Sequence, residues 1–284
     1  MKLVRFGVAG SERPGVLVSG QRRDVSALFP DFDRAFFESD GLVRLHALVT
    51  GGAAGLPLVP EHTRWAAPVA RPGKVVGIGL NYRAHALEFG VPLPAEPVLF
   101  LKAPNAVSGP HDDVPIPRGS TKLDYEVELG VVMARPARYL ASAADALSYV
   151  AGYTLGHDVS ERAFQNERGG QWTKGKSGDG FCPLGPWLVT PEELGDVQSL
   201  GLSLDVNGER RQTGNTSDML FGVATLIHYV SQFMSLEGGD LILTGTPGGV
   251  GHGRKPPVYL QDGDVCELGS DGLGQQRQRF VKSA

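Results

Sequence analysis

Asp124, Glu126 and Glu128 occupy alternate positions of the run LDYEVELGVVM, residues 123–133. Alternate side chains of an extended strand share a face, so these carboxylates point one way while Tyr125, Val127, Leu129 and Val131 point the other. A half-exposed antiparallel strand with a solvated acidic face would account for the alternation. A bound cation is the competing account, because neighbouring carboxylates repel and no Lys or Arg interrupts the face. Glu-x-Glu on one face can give two oxygen ligands to a hard ion such as Mg²⁺, which favours octahedral oxygen coordination and keeps waters that a substrate displaces. Asp158, in GYTLGHDVSERAF, is the candidate third ligand, ending a strand-like run. It could also cap the short helix SERAF, and the two roles can coexist. His157 beside it points elsewhere in an extended chain.

A second cluster lies in GIGLNYRAHALEFG, where His85 and Glu88 are three apart and share a face if the segment is helical. A carboxylate beside an imidazole fixes its tautomer and raises its basicity, so the pair can draw a proton from water. A plain surface pair has the same spacing. QWTKGKSGDGFCPLGPW offers Lys174 and Lys176 in a Gly-rich loop, where a lysine can meet a carboxylate or a developing oxyanion or simply be solvated. LTGTPGGVGHG reads as a strand and then a loop whose backbone N–H groups and hydroxyls suit an anion, or as an ordinary Gly/Pro turn. Gly77-x-Gly79 fails as a dinucleotide fingerprint, lacking the third Gly and a βαβ pattern.

Most of the chain around these groups reads as strands. The 39 Gly and 20 Pro favour turn-rich β structure. LVRFGVA, GVLVSG and DVSAL read as short strands, and FDRAFFESDGLVRLHALV as mainly helical with a Gly break. Residues 65–76, rich in Pro and Ala, mark a candidate boundary between a small N-terminal α+β domain (1–70) and a larger one (71–284). Beyond it, VVGIGLNY, YEVELGVVMA, LILTGTPGG, PVYL and VCELGS read as strands or strand-to-loop runs. A short helix capped near Ser142 leads into another strand. Asn207-Gly208 joins two extended runs as a hairpin. One convincing helix starts at an N-cap Ser217, with an apolar stripe of Leu220, Phe221, Ala224, Ile227 and Val230. Many strands and few helices exclude a doubly wound nucleotide-binding sheet.

Composition narrows the function. A hydrophobic fraction of 41% and a charged fraction of 20% describe an ordinary globular chain, and a net charge of −4 without Lys/Arg clusters gives no nucleic-acid footprint. The N-terminus MKLVRFGVAG reads as no signal peptide, and no apolar run approaches a membrane span, so a cytoplasmic protein is expected. Cys182 and Cys266 are too few for a disulfide framework or a thiolate metal site.

Taken in order, NYRAHALE, DYEVELGVV, DVSER, WTKGKS and TGTPGGVG resemble the fumarylacetoacetate hydrolase family over residues 72–280. The resemblance implies an α+β, β-rich fold, a mixed β-sandwich roll preceded by a small, variable N-terminal domain, usually assembled as a homodimer. It implies a Mg²⁺ or Mn²⁺ site, with Ca²⁺ a substitute in crystals, held by Glu126, Glu128 and Asp158. His85 and Glu88 become a water-activating dyad, and Lys176 the contact for the keto-acid end of the substrate. Thr246 and the adjoining Gly245 assist it, and Arg162 and Gln165 reach the ligand. Asp124 is no ligand in this pattern. PRGSTKLDYEVELGVV, ERGGQWTKGKSGDGFCPLGPWLVT, KPPVYL and GLGQQRQ are similar to the branch acting on 2,4-diketo-3-deoxy sugar acids derived from rhamnonate or fucose, with Gly178, Gly180 and Cys182 standing where relatives vary. The implied activity is metal-dependent hydrolysis of a C–C bond in a 2,4-diketo acid to pyruvate and a carboxylic acid. Oxaloacetate decarboxylation and keto–enol isomerisation use the same metal site without the attacking water, and a keto-acid-binding protein would need no base.

Overall fold

Apolar runs bounded by Gly, Pro and Asn-Gly turns set the strands. The computed structural model describes residues 1–283. Its strands begin with β1 (Lys2–Phe6), β2 (Arg13–Val18), β3 (Gln21–Asp24), β4 (Trp65–Ala66), β5 (Val75–Gly79) and β6 (Val98–Lys102). β7 (Val107–Ser108), β8 (Val114–Ile116), β9 (Leu123–Asp124), β10 (Val127–Met133), β11 (Val150–His157) and β12 (Ser160–Glu161) follow. The series ends with β13 (Cys182–Pro183), β14 (Leu188–Val189), β15 (Gly201–Val206), β16 (Glu209–Asn215), β17 (Leu241–Leu243), β18 (Val265–Ser270) and β19 (Gly274–Lys282). The helices are α1 (Arg34–Glu38), α2 (Gly41–Thr50), α3 (Arg83–Glu88), α4 (Arg162–Asn166), α5 (Thr173–Lys176), α6 (Pro191–Leu194) and α7 (Val223–Ser231). None is long and apolar enough to cross a membrane.

The main sheet runs β3-β2-β1-β14-β11-β10-β17-β5-β6, with β4 on β1. It is mixed, because β17 lies parallel to β5 while its other neighbours are antiparallel. A second sheet, β16-β15-β18-β19-β8, packs against β10 and β11. Between them Leu129, Val131, Leu155, Leu204, Leu268 and Phe280 belong to one buried apolar cluster. Burying a Leu or Phe there stabilises by about 1.5–3 kcal/mol each. This is an α+β fold dominated by strands. The first 70 residues contribute four strands to the main sheet, β3, β2 and β1 at its edge and β4 on β1, joined to the rest through Lys2↔Val189 and Leu3↔Leu188.

Several elements differ from the sequence reading. The third N-terminal strand is Gln21–Asp24, and Val25 to Phe29 form a turn instead, with Leu28 and Phe29 N–H both donating to Val25 O. PVYL forms no ladder; Val258 N donates to Gly251 O and Leu260 N to Leu123 O, which tie it as a loop. The long helix begins at Val223, not after Ser217. Thr216–Asp218 makes a single 3₁₀ turn capped by Asn215, and Asn81 then holds the next segment open: Phe221 N donates to Asn81 Oδ1 (2.9 Å) and Leu220 N to Asn81 O (2.7 Å). Val223, Leu226, Ile227 and Val230 form the buried face, while Leu220 and Phe221 lie before the helix. The Ser142 cap and the Asn207-Gly208 hairpin are as expected, with both turn residues at positive φ (52° and 78°).

Candidate active site

The β10–β11 register aligns Val127 with His157 and Glu128 with Gly156. One step further, Asp158 N donates to Glu126 O (2.9 Å), so these two residues lie side by side across the ladder. The expected strand 123–133 divides here, β9 pairing with β12 and β10 with β11. Side chains take over the ladder at the break. Val127 N donates to Gln212 Oε1 (2.9 Å), and Val127 O accepts from Thr246 Oγ1 (2.9 Å). Carboxylate oxygens of Glu126, Glu128 and Asp158 consequently lie within 4.8 Å of one another. With all three, and Asp124, at most 4% exposed, a solvated acidic face is ruled out.

Each carboxylate has a different partner set. Asp124 accepts from Arg162 Nε (2.8 Å), Gly251 N (2.7 Å) and His252 N (3.0 Å), so it anchors an arginine and a loop. Arg162 then reaches Glu126 Oε1 (2.5 Å) and Gln165 Oε1 (3.1 Å). The cap of α4 is Glu161, which accepts from Phe164 N (2.7 Å), leaving the Asp158 side chain to the centre. Lys176 Nζ donates to Glu126 Oε2 (2.9 Å) and Asp158 Oδ2 (2.6 Å). Lys102, at the end of β6, pairs with Asp158 Oδ1 and donates to Val159 O. Lys174 instead turns to Arg168 O at the surface.

Burial works against charge on Glu126, but Lys176 and Arg162 outweigh it and hold the carboxyl well below the usual range. Glu128 goes the other way. Burial first, then the Asp158 and Glu126 charges, push it well above an ordinary carboxylate, and the Gly245 N–H (2.8 Å) offsets only part of this. Among the described residues no ion pair reaches Glu128. Burial opposes charge on Lys176 as well, yet Asp158 and Glu126 raise it, so it stays an ammonium. Gly245 serves Glu128 at φ 96°, where a Cβ would sit 2.8 Å from that of Asn81.

His85 and Glu88 do share one face of α3, with Nδ1 3.4 Å from Glu88 Oε2. Glu88 is pinned from behind. Gly249 N donates to its Oε1 (2.9 Å), and Gly253 packs so closely that a Cβ would lie 2.4 Å from Glu88 Cδ. With Nδ1 turned to the carboxylate, Nε2 is the nitrogen left for a water. His85, Glu126, Glu128, Arg162, Gln165, Lys176 and Thr246 line one cavity of about 200 Å³, whose apolar walls include Phe89, Phe100 and Trp172. Glu88 and Asp158 stand behind it, bonded to His85 and Lys176.

Three buried oxygen donors, one without a cationic partner, fit a hard divalent ion. The sequence profile "Fumarylacetoacetate (FAA) hydrolase C-terminal" matches residues 74–281. The chain belongs to the fumarylacetoacetate hydrolase family. It is 50% identical over 281 residues to the 2,4-didehydro-3-deoxy-L-rhamnonate hydrolase of Sphingomonas sp. (strain SKA58), covering 98% of this chain and 95% of the relative. The fumarylacetoacetate hydrolase of psychrophilic Exiguobacterium antarcticum superposes with TM-score 0.84 at 38% identity, covering all of both chains. The maleylpyruvate hydrolase of Sphingobium sp. SYK-6, solved with manganese(II) and pyruvate, gives TM-score 0.82 at 29% identity, again over both full chains.

In this fumarylacetoacetate hydrolase-family fold, the residues expected to hold the metal, the water or the substrate line the cavity or bond a side chain that does, as Glu88, Asp158 and Gly245 do; Lys174 stays outside it. Thr246 does so with its hydroxyl engaged, donating to Val127 O and accepting from Gln212 Nε2 (2.8 Å). Sequence reasoning missed Lys102, Gln212, Trp172 and His252. Lys102 had one signal, a lysine closing the apolar strand VLFLK. Gln212 had none.

Proposed function

We propose that the chain is a divalent-metal-dependent hydrolase that cleaves the C3–C4 bond of a 2,4-diketo acid, most closely a 2,4-diketo-3-deoxy sugar acid, to pyruvate and a carboxylic acid. The observation that carries this is that a cluster of three buried carboxylates and a His–Glu pair meet at one small cavity, which Glu126, Glu128 and His85 line. Glu126, Glu128 and Asp158 would hold the ion. A bound Mg²⁺ or Mn²⁺ would supply Lewis-acid stabilisation of negative charge at the keto-acid end.

The remaining chemistry belongs to side chains. His85, oriented by Glu88, removes a proton from water, and the resulting hydroxide adds to C4. The C3–C4 bond breaks, its electron pair passes to C3 as pyruvate enolate, and the proton held at His85 returns to C3. The Lys176 ammonium opposes the enolate charge, while Arg162 and Gln165 border the substrate. The balance is one diketo acid and one water in, pyruvate and one carboxylic acid out. The 50% identity to a rhamnonate-series hydrolase supports the sugar-acid choice. The family resemblance extends the proposal to a cytoplasmic homodimer with the N-terminal domain ending near residue 70.

A coupled pyruvate assay on metal-stripped protein tests the reading. With acetylpyruvate or 2,4-diketo-3-deoxy-L-rhamnonate, added Mg²⁺ or Mn²⁺ should raise pyruvate release by about a hundredfold or more. Turnover of oxaloacetate alone would replace hydrolysis by decarboxylation. Saturable binding without product would make the chain a binding protein.

A further inference from the structure

His252 is a polar wall of the cavity that the reaction so far leaves without a task. Its placement is not incidental. Its backbone N–H donates to Asp124, the carboxylate that also anchors Arg162, so both groups are fixed from one point. Its Nδ1 lies 2.7 Å from the Tyr259 hydroxyl, and its ring tilts over Phe89, centroids 5.6 Å apart at 35°. Phe89 also meets His85 edge-on, centroids 5.0 Å apart. His85, Phe89 and His252 therefore form a continuous wall, and the neighbouring Gly253 packs directly on Glu88.

This fixes which part of a substrate His252 can meet. The keto-acid end belongs at the carboxylates and Lys176, and the attacked carbonyl belongs at His85. Whatever the carbonyl carries beyond C4 then extends along Phe89 toward His252. Tyr259 occupies Nδ1, so Nε2 is the ring nitrogen left for a ligand in the cavity that His252 lines. Burial, with the Arg162 charge behind it, lowers the proton affinity of the ring and keeps it neutral. A neutral imidazole suits a hydroxyl, where an acidic acyl group would call for a cation. The Arg162 charge is already matched, its nitrogens donating to the Asp124 and Glu126 carboxylates and to Gln165.

Building on the diketo-acid hydrolase reading, we propose that His252, positioned by Tyr259, selects substrates bearing a hydroxyl on the carbon next to the attacked carbonyl, that is, 2-hydroxyacylpyruvates. The apolar Phe89 and Val91 beside it suit the short alkyl end of such a group.

The test uses two compounds differing by one oxygen: 2,4-diketo-3-deoxy-L-rhamnonate and its 5-deoxy analogue, 2,4-dioxohexanoate. Wild type with saturating Mg²⁺ should prefer the hydroxylated compound in kcat/KM. H252F should lower kcat/KM for that compound about tenfold, the scale of one neutral hydrogen bond, and change the analogue less than about threefold. Y259F, which removes a single oxygen from the protein, should shift the same ratio in the same direction. Equal losses on both compounds in Y259F, or an unchanged ratio in H252F, would overturn the proposal. Wild type cleaving neither compound would instead sink the hydrolase reading, and wild type cleaving both equally would sink this selection alone.

Discussion

Glu128→Gln should abolish metal-restored turnover, by about a thousandfold or more, and yet make the metal-stripped protein more stable. The first half follows from removing one of three oxygen donors, since a divalent ion contributes several kcal/mol to charge stabilisation. The second half follows from the electrostatics of the apoprotein. Glu128 is buried beside Asp158 and Glu126, forms no ion pair among the described residues, and has its proton affinity raised in the fold. A carboxyl whose folded pKa is raised costs nothing below the ordinary carboxylate range, and its cost grows as pH climbs toward the raised value. Wild type and the variant should therefore melt alike at low pH and separate as pH rises, with the Gln protein ahead by about 1 kcal/mol. Glu126→Gln offers the contrast. Its folded pKa is lowered through Lys176 and Arg162, so its contribution is present above the ordinary range and lost in acid. Removing that charge strips two buried cations of a partner and should destabilise at neutral pH. Thermal melts in EDTA across pH, with calorimetric Mn²⁺ titrations, measure both. A Glu128→Gln protein that kept metal-dependent activity, or that melted far below wild type at neutral pH, would contradict this assignment.

His85→Ala should separate binding from hydrolysis. The imidazole makes no bond to Glu126, Glu128 or Asp158, so metal affinity should stay within about threefold of wild type. Hydrolysis of the diketo acid should fall by about 10²–10⁴, the usual worth of a positioned general base. A reaction that needs no attacking water, such as decarboxylation of oxaloacetate, should be spared if wild type performs it at all. Full hydrolytic activity in His85→Ala would remove the dyad from the mechanism.

Which parts were legible beforehand depended on the range of the interaction that decides them. Glu126 and Glu128 declare a shared face because strand alternation is local. His85 and Glu88 follow from helical spacing. Asp158 was readable only as the end of an apolar run, and its position beside Glu126 is a matter of β10–β11 register. Long-range partners left no local mark. Arg162 locks Asp124 to Glu126 because β12 pairs with β9, and Lys102 reaches Asp158 from a strand more than fifty residues earlier. The break at Glu126 exists because Gln212 and Thr246 supply the missing backbone partners. The late start of α7 has the same kind of cause, in Asn81 capturing Phe221 and Leu220 from 140 residues away. His252 was passed over because its surroundings, GVGHG, look like a turn until the fold brings Asp124 and Tyr259 to it.

If His85 activates the attacking water, the oxygen of that water ends up in the acid released from C4. Turnover of 2,4-diketo-3-deoxy-L-rhamnonate in H₂¹⁸O, followed by mass spectrometry of the non-pyruvate product, tests this directly. Lactate carrying one ¹⁸O in its carboxylate is expected for each bond cleaved, with pyruvate formed in equal amount. Lactate without label, or release of carbon dioxide in place of a second acid, would contradict it.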